Sequence, residues 1–125
     1  MRFEQMMVDG VLVAKVLDSR IVADVAPRFK HQLIDYITAG NRSIVLDMGA
    51  VSFIDSSGLG ALVSSLKVIG QNGELVLCGT GGTVASMFKL TRMDKVFRMF
   101  DTSEEAVAAL SFDDGVSVEP ASLND

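Results

Sequence analysis

An α/β fold is what this sequence predicts: a mixed β-sheet of four to five strands covered by about four helices. Three observations predict it. An Asp-Gly dipeptide at residues 9–10 separates two strand-like runs, the composition favoured in tight hairpins. After it, short apolar runs rich in β-branched residues alternate with longer stretches of helical periodicity. Neither an internal repeat nor a long linker divides the chain. At 125 residues it is expected to form one domain, able to bury roughly two-thirds of its unfolded surface.

The elements follow in order. "RFEQMMVDGVLVAKVL" gives the hairpin. "DVAPRFKHQLIDYITAG" predicts a helix with Asp24 as its cap, Pro27 in the first turn and Gly40 as its end. Val25, Phe29, Leu33 and Ile37 recur every fourth residue and line one face, which leaves His31 off the stripe and exposed. "RSIVLDM" reads as a buried strand. In "GLGALVSSLKVIGQNG", Leu59, Leu62, Val63, Leu66 and Ile69 gather on one side of a helix. "GELVLCG" is a further strand, "GGTVASMFKLTRM" a helical segment and "KVFRMF" a last short strand. "TSEEAVAAL" opens a helix with a capping box from Thr102 to Glu105. Residues 1–110 are thus the predicted domain, and residues 111–125 an acidic, disordered tail.

Composition narrows the function. Hydrophobic content of 49% with 22% charged residues fits a globular chain, and no apolar run approaches the ~20 residues that cross a bilayer. "MRFEQMMVDG" lacks the continuous apolar segment of a signal peptide, so a cytoplasmic address is expected, without direct membrane insertion. Net charge is −5, of which the tail holds −4, leaving −1 for the rest; nucleic acid, which needs a basic footprint, is therefore not an expected partner. One cysteine and one histidine cannot build a metal centre alone, so neither metal nor cofactor is expected. Cys78, inside "ELVLCG", reads as a buried small hydrophobe, and "GTGGT" at residues 79–83 as a tight strand-to-helix turn.

The candidate site is "VSFIDSSGLG", residues 51–60, where an apolar strand ends in an acid and passes to paired serines. The serines do not stand in a G-x-S-x-G elbow, and His31 is the one histidine that could serve as a base, so a hydrolase is a weak reading. Capping needs only one hydroxyl. Opposite the apolar stripe of the following helix lie Gly60, Ala61, Ser64, Lys67 and Val68, a small face with one charge that suits close docking of another protein. A phosphate at this helix start would meet free N–H groups and the positive end of the dipole, and would set about two negative charges at the edge of that face.

These residues resemble STAS-domain proteins, specifically bacterial anti-sigma factor antagonists. The resemblance spans about residues 3–110 and rests on "IVLDMGAVSFIDSSGLGALV", supported by "GELVLCG" and "MFKLTRMDKVFRMFDTSEEAVAAL". It implies the STAS fold and a non-enzymatic regulator phosphorylated on the serine after the acid, which is Ser56. It also implies a partner that is an anti-sigma factor and serine kinase of the histidine-kinase-like ATPase class, and a PP2C-type phosphatase that restores the binding form. On this reading Asp55 ends the strand and orders the loop, and Ser57 caps the helix. Gly58, Gly60 and Ala61 allow close approach, with Ser64 and Val68 completing the interface. The chain departs from the family at Ser19 and Val22, where many members have a glycine and an aspartate. Two rivals stay open: a STAS subunit of an ABC-type lipid transporter, and a switch acting on a non-sigma effector.

Overall fold

The computed structural model describes residues 1–118, with side chains through residue 111. In chain order its elements are β1 (Phe3–Val8), β2 (Val11–Val16), β3 (Arg20–Ile21), α1 (Ala26–Thr38), β4 (Ser43–Asp47), β5 (Phe53–Ile54), α2 (Ser56–Ile69), β6 (Glu74–Cys78), α3 (Gly82–Leu90), β7 (Met99–Phe100) and α4 (Ser103–Val118). Asp9 and Gly10 both take positive φ, 52° and 79°. That geometry matches the twist of the flanking strands, and it sets Val8 against Val11 in an antiparallel pair. The main sheet has the order β1-β2-β4-β6-β7, parallel from β2 onward. This is the expected mixed sheet of five strands with four helices.

Alternation along the strands divides the core into two layers. Leu12, Ala14, Ile44, Leu46, Leu75 and Leu77 point to one face, where Phe29 and Leu33 of α1, Leu62 of α2 and Phe88 of α3 cover them. Val11, Val13, Val45, Val76 and Cys78 point to the other, under Ala106, Val107 and Leu110 of α4. Cys78 is 1% exposed, and burial, reinforced by Asp47 and then Glu104, pushes its thiol up to about 12. The folded state therefore holds the neutral thiol, as the sequence reading expects. Its stabilising contribution is complete below the ordinary value near 9 and is lost as the pH climbs through the interval towards 12.

Several local expectations need correction. Asp24 does not cap α1. The cap position is Val25, one residue further along and with no side-chain bond. Residues 22–25 form a turn in which the Val25 and Ala26 N–H groups both donate to the Val22 carbonyl, and the helix starts only after it. The buried face of α1 is Ala26, Phe29, Leu33 and Tyr36, with Val25 and Ile37 at its margins. Pro27 does lie in the first turn. The run "KVFRMF" is strand only at Met99–Phe100: a 3₁₀ turn takes Met93–Lys95, and Phe97 drops into the core edge-on to Phe88, 6.2 Å between ring centres. Gly79 (φ 75°) packs so close to Gly49 that a Cβ there would lie 3.0 Å from its nitrogen, which is why the turn after β6 begins with glycine.

Thr102 accepts from Glu105 N–H at 3.1 Å, the first half of the capping box; the Glu105 carboxylate reaches Asp101 N–H instead of the threonine's own. The backbone of α4 continues past Leu110 to Val118, where the sequence reading expects a disordered tail. Once a helix is nucleated each residue adds one hydrogen bond, and only Gly115 interrupts this stretch before Pro120. Residues 119–125 of that tail lie outside the described residues. Among the described residues, all buried side chains of α4 precede residue 111. Deleting residues 111–125 is accordingly expected to leave the melting temperature nearly unchanged in a thermal scan; a fall of several degrees would place part of the core in this segment.

Candidate functional site

Two short strands outside the main sheet build the site. β3 and β5 pair in parallel, Arg20 beside Phe53 and Ile21 beside Ile54. The Arg20 guanidinium also stacks over the Phe53 ring, 4.8 Å from its centre. The Ser19 carbonyl accepts from the N–H groups of Ser52 (2.8 Å) and Phe53 (3.2 Å) and from the Ser52 hydroxyl (3.1 Å). Asp55 N–H then donates to the Ile21 carbonyl at 3.2 Å. The loop before α1 is thereby stitched to the segment that carries the serines. Sequence reasoning missed β3. Two strand residues have no periodicity to detect, and the only trace was the β-branched pair Ile21-Val22.

Asp55 is the cap of α2. Its backbone is extended (φ −105°, ψ −175°), and its Oδ1 accepts from Gly58 N–H at 3.1 Å. Its Oδ2 accepts from Ala23 N–H, also at 3.1 Å, so one carboxylate fastens the helix start to the loop before α1. The expected cap, Ser57, is corrected: aspartate caps as well as serine, and with Asp55 extended the helix begins immediately after it. Ser56 is therefore the first residue of α2 and not outside its first turn. Both serines are exposed, and among the described residues neither hydroxyl makes a hydrogen bond.

The glycines separate into two roles. Gly58 is buried, and a Cβ on it would lie 2.6 Å from Ile54 Cγ1 and 2.7 Å from the Ile21 carbonyl oxygen. The close approach it permits is internal. Gly60 is exposed, and a Cβ placed on it would meet nothing within 4 Å, so it leaves the surface open. Ala61 corrects the expectation of an outward interface residue, since it is 5% exposed and belongs to the core. The helix has rotated so that Ala61 and Ser65, whose hydroxyl donates to the Ala61 carbonyl at 2.9 Å, face inward with the larger apolar residues. Val68 is 49% exposed and Ser64 half-buried. Between α1 and α2 runs a shallow groove of about 360 Å³, with Ala23, Pro27 and Lys30 on one side and Ser57, Ala61 and Ser64 on the other.

His31 stands on the outer surface of α1, 3.3 Å from Asp35, and is engaged with its own helix. No acid–base or nucleophilic arrangement joins it to the serines in any described hydrogen bond. Among the described residues no group of three His, Cys, Asp or Glu is placed to hold a metal, and no helix is long and apolar enough to cross a membrane.

A five-stranded sheet with three helices on one face, and a capped helix start held by a separate strand pair, defines a class of protein. The STAS domain profile matches residues 8–106, and the chain belongs to that family. Its relatives carry a more particular name. The protein assigned as anti-sigma factor antagonist BtrV of Bordetella bronchiseptica is 31% identical over 103 residues, covering 82% of this chain and 88% of that one. The anti-sigma-B factor antagonist of Staphylococcus aureus is 29% identical over 79 residues, 62% of this chain and 73% of its own. A crystal structure of a Thermotoga maritima protein assigned as an anti-sigma factor antagonist superposes with a TM-score of 0.78 at 28% identity, covering 86% of this chain and 93% of that one.

Proposed function

We propose that this chain is a phosphorylation-controlled partner-switching regulator of the anti-sigma factor antagonist kind, acting by binding and not by catalysis. Unphosphorylated, it binds an anti-sigma factor that is also a serine kinase of the histidine-kinase-like ATPase class. Phosphorylation of Ser56 releases it, and a PP2C-type phosphatase restores the binding form, all in the cytoplasm. The names of the relatives support an anti-sigma factor as the partner.

One observation carries the reading: Ser56 is exposed at the first position of α2 with its hydroxyl unengaged, because Asp55 has already taken the cap. A phosphate there removes no existing bond. The Asp55 oxygens are turned onto Ala23 and Gly58, while the N–H groups of Ser56 and Ser57 have no carbonyl behind them in the helix and favour an anion. The new charge then stands beside Gly60 and the groove at Ser57 and Ser64, where a close-docking protein would have to desolvate it.

The test is affinity capture with Ser56→Ala and Ser56→Asp as paired baits. The alanine form is expected to retain an ATPase of the kinase class. The aspartate form should retain less of it, a partial loss because the carboxylate carries about half the charge of a phosphate. Equal retention by both, or recovery of transporter subunits in place of the kinase, overturns the proposal.

The same reading makes Ser64 an interface residue. Ser64→Arg is expected to reduce kinase binding at least tenfold in a titration while the circular dichroism and melting temperature stay unchanged, since the side chain lies at the groove margin. Unchanged affinity would move the docking surface off this face of α2. Position 61 cannot serve as the equivalent probe, because an arginine there enters the core.

A further inference from the structure

Among the described residues the sheet has one long unpaired edge: β1 pairs there with β2 alone, and four consecutive residues of it, Glu4 to Met7, are exposed. Met6 and Met7 are 61% and 60% exposed, on opposite faces of the strand. Edge strands are commonly protected by lysine, proline, a bulge or a cover; β1 carries no lysine and no proline, and its register with β2 runs without a bulge from Phe3 to Val8. Its one charge, Glu4, stands opposite Lys15 of its own neighbour strand.

We propose that this edge pairs with the same edge of a second copy, antiparallel about a twofold axis at Gln5, to give a continuous ten-stranded sheet. Strand geometry sets the register. The Arg2 carbonyl accepts from Leu17 N–H, and Val8 pairs with Val11 beside the two-residue turn, so the even-numbered residues are bonded inward. The N–H and C=O groups of Phe3, Gln5 and Met7 therefore point outward. Only these can meet their counterparts, which restricts a twofold pairing to registers in which the two residue numbers add to an even value. A sum of eight sets Glu4 against Glu4 of the other copy, two like charges directly opposed. A sum of twelve sets Phe3 against Asp9, which has left the strand for the turn at φ 52°.

The sum of ten keeps residues 3–7 in the ladder. It sets Phe3 opposite Met7 of the other copy and brings the two Gln5 amides together at the axis. Each Met7 thioether then meets the exposed part of a half-buried Phe3 ring that is itself stacked on Phe29 (6.1 Å between centres) and edge-on to Tyr36 (6.0 Å) of its own chain. On the reverse face Met6 covers the aliphatic part of Glu4. An isologous contact of this kind closes at two copies. The pairing stands apart from the switch: α2 packs on α1 and β6, away from β1, so both copies keep Ser56 open.

Sedimentation equilibrium of the purified chain tests this without any partner. The mass is expected to rise from 13.4 kDa towards double that value as the concentration approaches millimolar. Gln5→Pro, which removes an outward N–H and no bond to β2, and Met7→Lys, which charges the edge, should each abolish the rise while the melting temperature holds. Under mild oxidation Gln5→Cys should cross-link, because facing residues of a bonded antiparallel pair have Cα atoms about 5.5 Å apart, within disulfide range. A monomer at every concentration, a dimer indifferent to both edge variants, or cross-linking through Met6→Cys and not Gln5→Cys overturns the proposal.

Discussion

Replacing Gly58 with alanine is expected to destabilise the protein by about 2–3 kcal/mol, the usual scale for forcing a group into a filled core. Helix propensity alone gives the opposite sign, because alanine inside a helix is favoured over glycine by about 1 kcal/mol. Sterics win here. The new methyl would overlap Ile54 Cγ1 at 2.6 Å and the Ile21 carbonyl oxygen at 2.7 Å, and the second is backbone held in the β3–β5 pair. Relief therefore requires α2 to lift from the strand pair that presents the serines. Gly60 provides the contrast on the same helix: with nothing within 4 Å, Gly60→Ala follows propensity and is expected to gain up to about 1 kcal/mol. Urea midpoints of the two variants check both signs, and a Gly58→Ala protein as stable as the parent would contradict the packing described.

Asp55→Ala is expected to cost about 2 kcal/mol and to loosen two segments at once. Losing a cap costs about 1 kcal/mol, and here a second backbone donor, Ala23 N–H, loses its acceptor as well. Asp55→Asn keeps an accepting oxygen and should lose less. Amide exchange distinguishes this from general destabilisation. Protection at Ala23 and Gly58 should fall in the alanine variant well before protection at Ile44 or Val76 in the central strands. Uniform loss across the sheet would mean that the carboxylate has no particular role in the loop.

The order of elements was legible because it rests on strong local signals. Asp9-Gly10 makes the hairpin, Ile44 to Leu46 make a run only a central strand would bury, and Phe29 and Leu33 recur at helical spacing. What escaped depends on contacts distant in sequence. The β3 strand exists through the Ser19 carbonyl and its bonds to residues 52 and 53, more than thirty positions away. Which of three adjacent polar residues caps α2 was settled by the extended backbone of Asp55, and the second donor to its carboxylate lies at Ala23. Ala61 shows the limit of helical projection. Both Ala61 and Gly60 are small enough for an open face, and only the packing of α1 against α2 turns one inward.

The site came out of the sequence as a motif with its roles partly exchanged. Ser56 remains the exposed hydroxyl at the helix start, and Asp55 takes over the capping assigned to Ser57. That exchange leaves Ser57 equally exposed, so the two serines differ in position along the helix and not in burial. Chemistry must discriminate between them.

Phosphopeptide mapping after incubation with the cognate kinase and ATP does so most directly, applied to the parent, Ser56→Ala and Ser57→Ala. Phosphate is expected on the parent and on Ser57→Ala, at residue 56 in each, and none on Ser56→Ala. Phosphate retained by Ser56→Ala and lost from Ser57→Ala, or none on any of the three, would contradict the switch.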